Sequence, residues 1–281
     1  MKRKFLLVIL LLLPLAAMGQ DCFRITYLRY LKREVTGSYS VAEMKLDFNG
    51  KEAFFYNENS FLKDSLDVLA FDATGSIVDE EAYAELTRLP AGTNDKSLVD
   101  FTGGQMIQHY FDAASFTGAM PLELPQWQFT GEEEEVCGRL CYVATGRYLG
   151  RDWKIWYTED VPLNTGPWFL WGTPGLIVAA KDSESILAFK LVAIERIDSC
   201  RLENERSYRI VLDSRPTRKS FRGDMQDMEK MHSRYRRDTD YFNAMHGITG
   251  GYSVDRHGNR TDMPPSLPYI PMIPDEYWKR K

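Results

Sequence analysis

The chain has 281 residues, with 35 basic and 40 acidic side chains and a formal net charge of -5. That balance argues against nucleic acid as a partner, which would call for a basic face. Hydrophobic residues at 44% and aromatics at 13% suffice for a packed core in one large domain or two small ones.

The chain opens MKRKFLLVILLLLPLAAMGQDC. Lys2, Arg3 and Lys4 form a basic start, and Phe5 to Ala17 is an apolar run shorter than the roughly 20 residues of a membrane span. Small residues at Ala17 and Gly19 predict cleavage after Gly19, leaving Gln20 first and residues 1–19 as a signal peptide. Gly19-Gln20-Asp21 before Cys22 is not the small-residue box that lipidation requires. No later stretch is apolar enough to span a bilayer, so the mature chain is expected in the periplasm or cell envelope without a transmembrane segment. Setting aside the three basic leader residues leaves 32 basic against 40 acidic, a net charge of -8.

Strand signals dominate from Cys22 to about Leu212. Met44 to Phe48, then Asn49-Gly50, then Lys51 to Phe55 predicts a hairpin with a type I′ turn. Its register places Met44, Leu46, Phe48, Ala53 and Phe55 on one face, and sets Asp47 against Glu52 on a wet face. Cys141 to Tyr148 and Trp153 to Tyr157 predict a second hairpin, with Gly150-Arg151 as its loop. In that register Tyr148 faces Trp153, and Arg147 meets Lys154. Leu176 to Ala180, Ile186 to Ile194 and Tyr208 to Leu212 read as further strands. Asp79 to Arg88 and Gly104 to Phe111 read as short helices.

Past residue 214 the pattern changes. Met225, Met228, Met231, Tyr235, Phe242 and Met245 recur at steps of three and four, which predicts one long amphipathic helix stopped at Gly247. Arg215, Arg218, Lys219, Arg222, Lys230, Arg234, Arg236 and Arg237 make this region basic, either as a solvated face or as a dock for an acidic partner. Beyond Gly250 comes an extended proline-rich tail (Pro264, Pro265, Pro268, Pro271, Pro274) held by Tyr269, Ile270, Met272 and Ile273. The expected class is α+β, mainly antiparallel β: a curved sheet or partial barrel packed by the long C-terminal helix, with the proline-rich tail. The β-rich domain spans 20–213, and 214–281 packs on it.

The four cysteines, Cys22, Cys137, Cys141 and Cys200, point in an exported chain to two disulfides rather than a zinc site. All three connectivities stay open. Cys137 and Cys141 would lie roughly 13 Å apart along a straight strand, too far to bridge unless Gly138 turns the chain.

No Gly-x-Ser-x-Gly elbow, phosphate loop or His-Glu-x-x-His is present, and His109, His232, His246 and His257 are scattered. Glu132 to Glu135 read as a solvated turn or a strand edge that discourages aggregation. The expectation is therefore no catalytic residue, no metal and no cofactor.

The stretch WYTEDVPLNTGPWFLWGTPGLI (residues 156–177) is the densest in special residues. Pro162 leaves the sheet, Asn164 to Pro167 turns, Trp168 to Trp171 carry a large apolar load, and Gly172 to Gly175 turns again into a strand. The aromatics predict a plug folded against the core. Trp156-Tyr157-Thr158, Pro162, Gly166-Pro167-Trp168 and Gly172-Thr173-Pro174-Gly175-Leu176-Ile177 resemble the signature of the GLPGLI family, exported proteins of Bacteroidota. Gly138 to Ala144 and Phe48-Asn49-Gly50 fit the same pattern. Thr173, in place of the first leucine of the namesake hexapeptide, and the extra Cys137 depart from it. The resemblance implies location and fold, and carries over no catalytic residue. The leading function is a non-enzymatic envelope protein that binds a small ligand or an envelope protein on the sheet or beside the long helix. The alternatives are a structural component docking to an outer-membrane partner, or an envelope hydrolase with Glu159 and Asp160 as first suspects.

Overall fold

The computed structural model describes residues 22–33, 36–72, 76–93, 95–111, 114–201, 219–247, 253–254, 260–261 and 271–279. The leader, the strand expected at 208–212, Arg215, Arg218, His257, and the tail residues Pro264, Pro265, Pro268, Tyr269 and Ile270 lie outside them.

The chain runs through β1 (Cys22–Lys32), β2 (Tyr39–Phe48), β3 (Glu52–Tyr56), α1 (Glu58–Ala70), α2 (Glu80–Arg88), β4 (Asp95–Asp100), β5 (Gln105–Phe111), β6 (Ser115–Pro121) and β7 (Gln128–Val136). It continues with β8 (Arg139–Tyr148), β9 (Arg151–Thr158), β10 (Leu176–Asp182), β11 (Leu187–Ile197), β12 (Ser220–Asp224), α3 (Met225–Arg237), α4 (Thr239–His246) and α5 (Asp275–Trp278). Ser253–Val254 and Arg260–Thr261 pair as a separate small ribbon. β1 to β12 form one curved, unclosed sheet in the order β12-β6-β5-β4-β3-β2-β1-β11-β10-β9-β8-β7. Every neighbouring pair is antiparallel except β12 with β6. Curvature brings distant strands together: Tyr148 Oη on β8 lies 3.2 Å from Met106 Sδ on β5.

Both expected hairpins form, each with its turn one residue earlier or later than the sequence rule gives. In the first, Phe48 pairs with Ala53 and Asp47 with Phe54. Gly50 has a positive φ of 82° and Asn49 does not, so the turn is not type I′. Asn49 Oδ1 instead accepts the Lys51 and Glu52 amides at 3.0 and 2.8 Å. Asp47 thus escapes Glu52. It is fully buried rather than wet, held by the Arg24 guanidinium at 2.7 and 2.8 Å. Phe54, Tyr56 and Phe61 build a second, smaller core on that face, under α1. In the second hairpin Tyr148 pairs with Arg151 and Gly146 with Trp153. Leu149 and Gly150 both take positive φ, and Arg147 meets Asp152 at 3.0 Å instead of Lys154.

Two expectations on helices change. Residues 105–111 form strand β5, because Met106, Gln108 and Tyr110 bury one face at a period of two and the segment is rich in strand-favouring residues. The expected long C-terminal helix is two helices, α3 and α4, broken at Asp238. There φ and ψ are -148° and 82°, and the Asp238 side chain caps the Tyr241 amide at 3.0 Å. Gly247 is the left-handed cap of α4.

Among the described residues no disulfide is formed, contrary to the sequence expectation. Cys137 and Gly138 do make a tight turn between β7 and β8. Cys137 is exposed at its tip while Cys141 is buried, its Sγ lying 3.5 Å from the Arg139 carbonyl. The Cys200 amide lies 3.1 Å from Cys22 Sγ. Glu132 to Glu135 lie on β7, one edge strand of the sheet, where Glu134 accepts from Lys154 Nζ at 2.8 Å and Trp156 Nε1 at 2.9 Å. No helix of the described residues is long and apolar enough to cross a membrane.

Candidate functional site

Residues 159–175 link β9 to β10 and fold back into the concave face of the sheet. Trp168, Phe169 and Leu170 are each no more than 1% exposed and join the main core. Trp168 sits 6.2 Å from Trp153 and 5.1 Å from Phe169 between ring centres. Its indole N–H donates to Gln108 Oε1 on β5 at 3.2 Å. The plug therefore ties the two halves of the sheet together.

Several backbone groups of this loop and its exit strand are hydrogen-bonded, as burial requires. Leu176 and Ile177 amides donate to the Val161 and Thr165 carbonyls at 3.0 and 3.1 Å. Asn164 Oδ1 accepts the Gly172 amide at 2.7 Å, and the Ile177 carbonyl accepts Tyr27 Oη at 2.7 Å. Thr173 is buried and its hydroxyl donates to the Gly175 carbonyl at 2.6 Å. A Cβ on Gly175 would lie 2.0 Å from the Thr158 carbonyl oxygen, so only glycine fits there.

The motif residues are not all in one place. Tyr157, Gly166, Pro167, Trp168, Gly175, Leu176 and Ile177 are buried, Pro162 and Pro174 are exposed, and Trp156 and Gly172 are half-buried. Trp156 bonds to Glu134 at the β7 edge, away from the plug. Glu159 and Asp160 are exposed at the exit of β9. Among the described residues no three His, Cys, Asp or Glu side chains are grouped to hold a metal.

The C-terminal helices pack on β6. Met225, Met228, Tyr235 and Phe242 are buried, and Phe116 lies 5.5 and 5.8 Å from the Tyr235 and Phe242 rings. The rest of the methionine stripe points elsewhere: Met231 and Met245 line a cavity of about 910 Å³ between α3, α4 and α5. The far wall comes from the tail, through Asp275, Trp278 and Lys279.

That wall is fixed by a buried ion pair which sequence reading missed. Arg151 bonds Asp182 at 2.7 Å, and both are at most 5% exposed. Its Nε and Nη2 donate to the Met272 and Pro271 carbonyls, each at 2.7 Å. The partners lie far apart in sequence, so no local pattern announced the pairing. Met272 and Ile273 are buried beneath the clamp.

The inner face of α3 carries Glu229, 3% exposed, whose Oε1 accepts Tyr110 Oη at 2.7 Å. The His232 ring stacks on Tyr110 at 4.0 Å. Burial pushes the Glu229 carboxyl up to about 8, the Tyr110 hydroxyl opposing it and Asp275 and Asp95 adding to it. Between the ordinary value near 4.5 and about 8, the folded state keeps a proton that the unfolded chain releases. Stability therefore falls as pH rises through that window. Glu229→Gln should flatten the fall, gaining on the order of 3 kcal/mol over the parent at pH 8 relative to pH 5. Urea titrations of both proteins at the two pH values check this, and parallel pH profiles would refute it.

No family model matches the sequence, and no curated protein matches it either. Among solved structures, PNGF-II is similar in two crystal forms. The C2 form has 14% identity and a TM-score of 0.49 over 77% of this chain and 33% of that one. The P21 form has 13% identity and a TM-score of 0.47 over 75% and 33%. This chain thus spans about a third of the length of PNGF-II. A putative outer membrane lipoprotein-sorting protein domain from Vibrio parahaemolyticus is similar at 7% identity and a TM-score of 0.27, over 69% of this chain and 93% of that one.

Proposed function

We propose that the chain is an exported, non-enzymatic cell-envelope protein of the GLPGLI type, which binds its ligand or partner beside the C-terminal helices. The observation that carries this reading is the division of space within the fold. The concave face of the sheet, a natural place for a ligand, is filled by Trp168, Phe169 and Leu170. An open cavity of about 910 Å³ lies instead between α3, α4 and α5, a volume typical of small-molecule sites. A hydrolase built on Glu159 and Asp160 has less support, since both are exposed and neither lines that cavity. A structural component docking through its basic helix is the second reading, favoured by the exposed Lys230, Arg234 and Arg237 on α3.

The test is native mass spectrometry of the protein purified from its own envelopes. The chain should begin at Gln20 and carry a bound mass that a Lys230→Glu/Arg234→Glu variant lacks. A chain that retains its leader in the cytoplasm, or a bound mass indifferent to the variant, counts against the reading.

A further inference from the structure

The cavity beside the helices has two chemically distinct sides. Met231, Phe242, Met245 and Trp278 supply apolar lining. Methionine is unbranched and adapts its shape, which suits a flexible chain better than a rigid ring system. On the rim, Lys230, Arg234 and Arg237 follow one another at steps of four and three along α3, and so share a face. Lys279 adds a fourth cation from the tail. Arg234 and Arg237 fall in the last turn of α3, where they also offset the helix dipole. Lys230 and Lys279 have no such role. Against these four cations stand two lining carboxylates, Asp238 and Asp275. Asp238 already caps the Tyr241 amide. The lining therefore carries an excess of positive charge over an apolar floor.

Trp278 is 8% exposed and its indole N–H has no accessible surface, so it meets the cavity through its ring carbons and adds to the apolar floor.

We propose, resting on the binding function inferred above, that this cavity takes a single-chain amphiphile with an anionic head group. The chain lies along Met231, Phe242 and Met245. The head group is held at the rim by Lys230 and Arg234. Long cationic side chains suit this role, because their stems cover apolar surface while their heads stay in water.

The experiment titrates the mature chain, residues 20–281, with four twelve-carbon probes below their micellar concentrations, by calorimetry and tryptophan fluorescence. Laurate and dodecyl phosphate carry anionic heads and separate a fatty-acid source from a phospholipid-like one. Dodecyl maltoside is neutral, and dodecyltrimethylammonium is cationic. At least one anionic probe should bind about tenfold more tightly than the neutral one, with the preference shrinking in high salt. Lys230→Gln/Arg234→Gln should erase that preference while keeping the weaker chain-driven binding. Both side chains are exposed, so the variant should melt with the parent. Equal affinity for all head groups, a preference retained by the double variant, or no binding of any anionic probe would overturn the proposal. If no anionic probe binds yet the envelope-purified protein carries a mass lost in Lys230→Glu/Arg234→Glu, the ligand class is wrong and the binding function survives. If that mass is absent as well, both fall.

Discussion

Trp168→Ala should destabilise the fold by about 5 kcal/mol, from a cavity in the core and an orphaned amide on β5. Trp168 is 1% exposed and is among the largest fully buried side chains. Truncating it removes an indole packed against Trp153 and Phe169. It also leaves Gln108 Oε1, on a residue 1% exposed, without its donor. Backbone strain does not soften the loss. Trp168 holds a φ of 58°, and alanine is no more at ease there than tryptophan. Trp168→Phe separates the two contributions, since it keeps most of the ring volume and loses the N–H. It should cost about 2 kcal/mol, the range of an unmade buried hydrogen bond plus a small void. Urea unfolding followed by circular dichroism measures both. If Trp168→Ala melted within a degree or two of the parent, the 159–175 loop would not be the interior plug described above. Such a result would leave Trp168 free to serve as a binding residue.

The plug was legible in the sequence because its signals are local. Four apolar residues between two glycine-proline turns must either be buried or leave a large apolar patch exposed, and burial is the cheaper outcome. The hairpins were legible for the same reason, but their registers were not. The turn rule placed Asn49-Gly50 and Gly150-Arg151 at the loop tips, and each tip is displaced by one residue. In both hairpins the displaced register removes a like-charge pair, Asp47 with Glu52 and Arg147 with Lys154. The faces survive, because shifting the tip by one residue shifts the cross-strand pairing by two. The unfavourable charge pairs were thus the sequence-level sign that the register was displaced. Helix α1 was overlooked although Asn57 caps it, its side chain accepting the Ser60 amide at 3.1 Å. The break at Asp238 was overlooked because the apolar steps run straight through it. Aspartate before Thr239 is an N-cap signal in its own right, and it outweighed periodicity. What the sequence could not disclose is long-range: the Gln108 partner of Trp168, the burial of Asp47, and the cavity, whose walls come from residues 226–246 on one side and residues 275–279 of the tail on the other.

The clamp at Arg151 is the strongest case of that long-range kind, and its removal should have two linked effects. Arg151→Ala leaves Asp182 buried at 2% exposure without its counter-charge, although the Ile186 and Leu187 amides still donate to Oδ1 at 2.7 and 3.1 Å. Breaking one partner out of a buried pair costs roughly 3 to 5 kcal/mol. The second effect is local. The Met272 and Pro271 carbonyls lose their donors, and the tail segment 271–279 keeps the burial of Met272, Ile273 and Trp278 and the Tyr277 bond to Glu123 at 2.7 Å. Its amides should exchange with deuterium faster than the parent's, while β5 and β6, which do not touch the clamp, keep their relative protection. Because Trp278 and Lys279 form one wall of the cavity, amphiphile affinity should fall in step with tail protection. Arg151→Lys should not restore either property. A lysine ammonium is one compact charge, whereas the planar guanidinium serves the carboxylate and two carbonyls at once. Equal tail protection in parent and Arg151→Ala would mean that apolar packing alone holds the segment. Restoration by lysine would mean that the site needs only a positive charge, not a fork of donors.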